Sequence, residues 1–305
     1  MEKKVLSIDI GGHKLLSGVI EENGKVTSLH KHTWQGEITR EKVLSKIKER
    51  LDFLNNKFDG DKYIGVTIPG LADTEKGIWV YSPFSGIKNI KIVEILHNRY
   101  NLPVFIENDV NACAFGERIF GVCQNTDNFF WITVSNGIGG GLVLNGELYE
   151  GKYQNAGEIG HITVVEDGFK CGCGKKGCLE AYAAGPAIAR RYRIAAELNK
   201  NEGNPDAEKI AQLALKGNEI ACKIYKKTGS YIGQALAAAV NIINPEKVVF
   251  GGGVSQSFDL FKNKLLKEYQ KNVFLEANKN VKIEKTGLDY NAALIGIAAI
   301  ALYKA

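Results

Sequence analysis

The chain has 305 residues, of which 45% are hydrophobic and 24% charged. That composition excludes a disordered polymer, and the length leaves room for two domains of about 150 residues each. Thirty-nine Lys and Arg against 34 Asp and Glu give a net charge of +5 without a long basic run, which argues against nucleic acid as the main partner. No apolar run reaches the roughly 18 residues needed to span a bilayer, so no membrane partner is expected. Met1–Lys4 leads into a strand-like run interrupted by Asp9 and two glycines, not into a signal peptide. The expected setting is cytoplasmic, where the six cysteines stay reduced unless they bind metal.

In chain order, Val5–Ile10 and Leu15–Ile20 predict a hairpin around Gly11-Gly12, with Glu22-Asn23-Gly24 turning into a third strand. Val43, Leu44, Ile47, Leu51 and Leu54 recur at helical spacing. A strand at Tyr63–Thr67, a helix near Ile92–Tyr100, a strand at Val104–Ile106 and a helix from Asp109 to about Ile119 follow. Phe129–Ser135, a glycine loop, Leu142–Leu144 and the turn Asn145-Gly146 predict a second hairpin. The remainder reads as largely helical, except for strands at Val248–Phe250 and Val281–Lys285. Its long helix, Ile220–Ile243, is stopped by Asn244-Pro245. No segment has the composition of a linker.

Glycine occurs 34 times and proline 6 times, a ratio that suits loops bringing backbone close to something. The two glycine hairpins, Val5–Gly12 and Ile132–Gly139, share a strand, glycine turn and strand, and both continue into an Asn-Gly turn. This weak internal symmetry suggests two related halves across a cleft, although any mixed sheet can contain such hairpins.

Cys171-Gly-Cys173-Gly-Lys-Lys-Gly-Cys178 places three thiols within eight residues, with His161 ten positions upstream. Three thiolates and an imidazole fill a tetrahedral zinc shell, and four protein ligands leave no open position, so the reading is structural zinc in preference to a redox-sensitive loop. Cys113, Cys123 and Cys222 lie in apolar stretches and read as buried hydrophobes. Gly172-x-Gly174-x-x-Gly177 matches a dinucleotide fingerprint formally, but it follows no strand and is interleaved with thiols. There is no Walker A motif and no His-Glu-x-x-His.

Taken together, Asp9-Ile-Gly11-Gly12, Glu107-Asn108-Asp109, Gly137-Ile-Gly139-Gly140-Gly141, Gly157-Glu158-Ile-Gly160-His161, Cys171-x-Cys173-Gly-x-x-Gly177-Cys178-x-Glu180 and Gly251-Gly252-Gly253-Val254 resemble the ROK family of bacterial sugar kinases and repressors. The resemblance covers essentially the whole chain. It implies an α/β, actin-like or hexokinase-type (ribonuclease H-like) fold of two domains around a cleft. The small domain would comprise 1–118 plus 290–305, and the large domain 119–289 with the zinc site. It also implies a homo-oligomer, dimer or tetramer.

By that resemblance the protein is a glucokinase-like, ATP-dependent and Mg²⁺-requiring hexose kinase, stabilised by Zn²⁺. Such a reaction demands mostly positioning and charge stabilisation. Asp9, Gly11, Gly12, His13 and Lys14, then Gly137, Gly139 and Gly140, then Gly251, Gly252 and Gly253 would form the nucleotide site, with Asp9 near the Mg²⁺-bound phosphates. The glycines from 137 to 141 would bring backbone N–H groups to phosphate. For Gly11-Gly12 a plain β-turn is the competing reading, and for Gly251–Gly253 a strand-end turn. Asp109 would be the general base that takes the proton of the sugar's primary hydroxyl. At a strand-to-helix junction, an Asp is otherwise read as an N-cap. Gly70, Asn108, Asp109, Glu158, His161 and Glu180 would bind the sugar. His161 would give one ring nitrogen to zinc, alongside Cys171, Cys173 and Cys178, and the other to the sugar. Without the family pattern, Glu158 and Glu180 read as surface charge.

Three positions depart from the pattern. His13 and Asn136 stand where Thr is usual, and Ser82-Pro83-Phe84-Ser85-Gly86 replaces an Asn-Leu-Pro-Gly-Trp-like run of the sugar pocket. The sugar is therefore open, with N-acetylhexosamine, fructose or mannose as alternatives to glucose. A non-catalytic sugar-binding regulator is the alternative of another class. The family's repressors carry an additional N-terminal helix-turn-helix, for which a hairpin beginning at Val5 leaves no room.

Overall fold

The computed structural model describes residues 3–82, 84–198 and 203–304, so Pro83 of the sugar-pocket run lies outside the described residues. The chain opens with an antiparallel meander of β1 (Lys4–Ile10), β2 (Lys14–Glu21) and β3 (Val26–Thr33), followed by helix α1 (Arg40–Lys57). Thr39 caps α1 through its side chain, which accepts the Lys42 N–H. Strand β4 (Lys62–Ile68) pairs in parallel with β1. Three short strands, β5 (Leu71–Asp73), β6 (Ile78–Tyr81) and β7 (Lys88–Ile90), form a separate small sheet. Helix α2 (Ile92–Tyr100), strand β8 (Val104–Asn108) and helix α3 (Asp109–Phe120) complete the N-terminal third.

The second series begins with β9 (Phe129–Val134), β10 (Ile138–Leu144) and β11 (Glu147–Tyr149). Helices α4 (Glu180–Ala183), α5 (Gly185–Ala195), α6 (Ala207–Leu215) and α7 (Glu219–Ile243) precede β12 (Lys247–Gly251). Helices α8 (Phe258–Asn272) and α9 (Leu275–Asn278), strand β13 (Lys282–Lys285) and helix α10 (Ala292–Tyr303) close the chain. No helix among the described residues is long and apolar enough to cross a membrane.

The two five-stranded sheets run β3-β2-β1-β4-β8 and β11-β10-β9-β12-β13. Counted from its own first strand, each sheet has the order 3-2-1-4-5, so the likeness of the two glycine hairpins extends to complete sheets.

Contacts divide the chain into two compact units: 1–126 with 141–156 and 287–305, and 127–140 with 157–286. Relative to the division drawn from the sequence, segments 119–126, 141–156 and 287–289 fall in the first unit. For 141–156 the reason is local: Gly141 lies against Val110 and Ala114 of α3, and the Gln154 side chain accepts the Thr74 N–H at 3.0 Å.

In the first unit, alternation along β1 sends Leu6, Ile8 and Ile10 to one side, into a core shared with Val43, Ile47, Leu51 and Leu54 of α1. Val5 points to the other side, against Leu294, Ile295 and Ala298 of α10. α10 is apolar all round and buried from Leu294 to Ala301. It crosses α3 closely enough that a Cβ on Gly116 would fall 2.8 Å from the Gly296 Cα. In the second unit, β9 is almost wholly buried, and Gly229 and Gly233 let α7 approach the backbone of α8. Asn244 ends α7 in the left-handed conformation that Asn tolerates at a helix C-terminus, and Pro245 follows it.

The strands and helices expected from periodicity are present, with ends shifted by one or two residues. The sequence reading did not include β5–β7 or β11, which are only three or four residues long and too short for a period to register. It also placed Gly139–Gly141 in a loop, whereas they lie inside β10, and the turn is confined to Ser135–Gly137.

Candidate functional site

The first unit gathers its chemistry where β1, β4 and β8 end. Asp9 is the penultimate residue of β1 and only 8% exposed. Its Oδ1 accepts the Thr67 hydroxyl at 2.8 Å, and Thr67 Oγ1 in turn accepts the Ile10 N–H at 3.1 Å. Burial raises the Asp9 carboxyl, against the opposing pull of Lys14 and Thr67. The Gly11–Lys14 turn is closed by the Gly11 N–H on the Lys14 carbonyl, and the Trp34 indole N–H holds the Gly11 carbonyl at 2.9 Å. Neither Gly11 nor Gly12 has a positive φ, and a Cβ on either would meet protein atoms no nearer than 3.4 Å. Among the described residues, no contact or backbone angle requires glycine there. His13 is exposed, and Lys14 Nζ lies 3.3 Å from the Tyr290 ring centroid.

Asp109 begins α3, but it does not cap it. Asn108 is the cap: its Oδ1 accepts the N–H groups of Val110 and Asn111 at 2.9 and 3.3 Å, while its Nδ2 donates to the Gly70 carbonyl at 3.2 Å. Gly70 itself has φ +95°, a conformation that favours glycine. The cap bonds of α3 thus belong to Asn108, while backbone N–H groups of Val110 and of Asp109 itself pull the Asp109 carboxyl down. Burial first, and the neighbouring Asp9 second, push it up to about 7. Asn108 has its oxygen committed, so towards a ligand it retains only an N–H.

In the second unit, His161, Cys171, Cys173 and Cys178 bring their ligating atoms within 4.8 Å of one another. Cys173 Sγ lies 3.6 Å from Cys178 Sγ, and His161 Nδ1 3.8 Å from Cys171 Sγ. A tetrahedron with Zn–S bonds of about 2.3 Å has edges of about 3.8 Å, so the donor set fits that metal in type and spacing. Tight turns at Gly174 and Gly177, with φ of +91° and +79°, bend the loop around the thiols. His161 presents Nδ1 to this cluster and Nε2 to Glu158, 3.6 Å away.

Glu180, at the start of α4, accepts the Ile138 N–H at 3.0 Å, where a Cβ on Gly137 would come within 2.7 Å of its Oε2. Glu180 therefore ties the second glycine turn to the cysteine loop. Next to it is a cavity of about 150 Å³ bordered by Asn136, Cys171, Lys170 and Arg190.

The remaining glycines divide by cause. Gly140 faces the Phe130 ring and Gly251 the Trp131 ring, each leaving only 2.2 Å for a Cβ. Gly252 has φ +90° and abuts Thr133 and Val134, whereas Gly253 meets nothing closer than 3.7 Å. Gly139 lies in β10, half-buried. Of the other cysteines, Cys113 and Cys123 are buried and Cys222 is half-buried. Thr67 and Trp34 carry no local signal in the sequence, because their partners lie 58 and 23 positions away.

The sheet orders and the paired units define an α/β protein of the actin-like, hexokinase-type two-domain class. Within it, the chain belongs to the ROK family, whose model matches residues 5–304. It is 31% identical to the glucokinase of Thermotoga maritima, over 97% of this chain and 96% of that one. It is 30% identical to the xylose repressor of Bacillus subtilis, over 87% of this chain and 67% of the repressor. A ROK glucokinase from Streptomyces griseus, solved with glucose and AMPPNP, superposes with a TM-score of 0.87 at 28% identity, covering 97% of this chain and 98% of that one.

Proposed function

We propose that the protein is an ATP-dependent kinase of a hexose or hexose derivative, with Asp109 as general base. The observation that carries this reading is the state of Asp109. Asn108, not Asp109, makes the α3 cap bonds, and burial and Asp9 raise the Asp109 carboxyl to about 7, so that it is a stronger base than an ordinary carboxylate. Asp109 takes the proton of the sugar's primary hydroxyl as that oxygen attacks the γ-phosphorus. The bond from phosphorus to the β-phosphate oxygen breaks, and ADP departs with its electron pair.

Asn108 donates a hydrogen bond to a neighbouring hydroxyl, and Gly70 keeps the adjoining turn open. Glu158, His161 and Glu180 bind further hydroxyls of the sugar. Gly11 and Gly12 leave room for phosphate beside His13 and Lys14. The second-unit glycines, from Gly137 through Gly140 and Gly251 to Gly253, contribute backbone to the nucleotide. Asp9 is the carboxylate for Mg²⁺, which supplies charge neutralisation on the phosphates. His161, Cys171, Cys173 and Cys178 hold a structural Zn²⁺, which fixes the imidazole so that Nε2 stays available to the sugar.

The test is ADP release from Mg·ATP with glucose, mannose, fructose, allose, N-acetylglucosamine and N-acetylmannosamine, using Asp109→Ala as the blank. Turnover on one sugar that is lost in the variant supports the kinase. The repressor relatives favour a second reading, a sugar-binding regulator. Silence on every sugar, together with saturable sugar binding by calorimetry, would select it.

A further inference from the structure

Tyr290 stands on the short turn Asp289–Asn291, between β13 and α10, and is 49% exposed. The Lys14 ammonium lies over its ring, with Nζ 3.3 Å from the centroid. The other lysine–ring pairs among the described residues are looser, at 5.0–5.8 Å. Lys31 makes one of them, 5.8 Å from the same ring. In the β2–β3 ladder Lys14 faces Thr33 and Leu16 faces Lys31, so the two lysines are diagonal neighbours on one face.

The turn that carries the ring is anchored. The Glu117 carboxylate of α3 is fully buried, and its Oε1 accepts the N–H groups of Gly287 and Leu288 at 3.1 and 3.3 Å. Its Oε2 accepts the Val122 N–H at 2.9 Å. A Cβ on Gly287 would fall 2.9 Å from the Val122 side chain, so this stretch lies close against the segment that follows α3. Asp289 then turns the chain in the left-handed conformation, with φ +49°, immediately before Tyr290.

Among the described residues Lys14 makes no ion pair. Its carbonyl accepts the Gly11 N–H at 2.8 Å and closes the Gly11–Lys14 turn. Its charge reaches Asp9, whose carboxyl it pulls down against burial. An aromatic face holds an ammonium through its quadrupole, and the N–H groups turned away from the ring remain donors. A lysine ordinarily gives up rotamer freedom when it binds an anion. One already held on a ring has given it up beforehand, which favours binding.

We propose that Tyr290 is a positioning residue of the nucleotide site, whose ring holds the Lys14 ammonium ready for phosphates bound at the Gly11–Lys14 turn. The inference deepens the kinase reading above and rests on it for the identity of the anion. Glu117 serves the same end at one remove, by fixing the stretch that leads to Tyr290.

The test is binding of Mg·AMPPNP to the full chain by calorimetry, in the wild type, Tyr290→Leu, Tyr290→Phe, Lys14→Met and the double variant Lys14→Met with Tyr290→Leu. Tyr290→Leu should raise Kd about 2–5-fold, the loss of one exposed cation–π contact. Tyr290→Phe keeps the ring face and should restore the wild-type Kd. In the Lys14→Met background, Tyr290→Leu should change nothing further, whereas a ring that merely packs would cost the same in both backgrounds. An unchanged Kd in Tyr290→Leu, equal costs in both backgrounds or no rescue by Phe overturns the inference. So does tighter binding in Tyr290→Leu, which would mean that the ring withholds Lys14 from the nucleotide.

Proton NMR of lysine-labelled protein reads the pair without nucleotide. The ring current should move the Lys14 ε-methylene protons upfield in the wild type and Tyr290→Phe, and not in Tyr290→Leu. Ordinary Lys14 shifts in the wild type sink the inference. Turnover of a sugar with no coupling between Tyr290 and Lys14 ends this inference and leaves the kinase. Coupled AMPPNP binding with no sugar phosphorylated does the reverse, and a wild type that does not bind Mg·AMPPNP ends both.

Discussion

The two five-stranded sheets share one strand order, yet their glycine hairpins owe their glycines to different causes. In the first, Gly11 and Gly12 have ordinary φ and room for a side chain, so their own unit gives no packing reason for them. In the second, Gly140 is demanded by the Phe130 ring, and beyond that hairpin Gly251 and Gly252 are demanded by the Trp131 ring and the turn after β12. The same contrast runs through the ionisable groups. The first unit stores buried acid at its sheet ends, in Asp9, Asp109 and Glu107, whereas the second clusters soft donors in a loop. A repeated topology has thus been put to two uses, with strained acid in one unit and scaffold in the other.

The largest expected effect tests the acidic unit. Asp109→Ala lowers kcat by about 10²–10⁴-fold, as loss of a general base does. The same change should raise thermal stability, because it removes a carboxylate that the fold holds above its ordinary pKa. The sign is fixed by linkage: an Asp raised to about 7 costs the native state progressively as pH climbs from its unfolded value near 4 to 7. The melting advantage of Asp109→Ala should therefore be full above pH 7 and vanish below 4. An unchanged kcat would break the contrast. For the wild type, kcat should rise between pH 6 and 8 as Asp109 ionises.

Next in size is the thiol loop. Cys173→Ala, or chelation of the wild type, should reduce bound zinc measured by elemental analysis and lower the melting temperature, because metal binding is coupled to folding. Gly140→Ala should follow, destabilising the fold by about 1–3 kcal/mol through overpacking against Phe130. Gly12→Ala sharpens the same comparison. It should leave denaturant stability unchanged while raising KM for ATP; a stability loss equal to that of Gly140→Ala would erase the distinction between the hairpins. Asn108→Ala should cost about 1 kcal/mol of stability for a lost cap, read by chemical denaturation.

Several of these features were legible in the sequence. The Ile92–Tyr100 helix carries its own period, and Asn244-Pro245 marks the end of α7 unaided. The cysteine spacing with His161 also announced a cluster that the fold does assemble. The division of labour at 107–109 was less legible. From local rules Asp109 was a candidate cap, but the capping hydrogen bonds come from Asn108. Likewise, Gly139–Gly141 reads as a loop from composition, although the Phe130 ring against Gly140 and the Val110 carbonyl against Gly141 explain glycine inside a strand.

By itself, then, the sequence determined what short-range chemistry determines: strand and helix periods, turn positions, the spacing of four soft ligands and the order of the family's motifs. Only the tertiary structure decided which carboxyls are buried together, which glycines answer to packing, and which of two adjacent residues caps α3. Those properties depend on neighbours such as Thr67 beside Asp9, 58 positions away, and Glu180 beside Ile138, 42 positions away. Desolvation and like-charge repulsion act through space, and no local pattern encodes them.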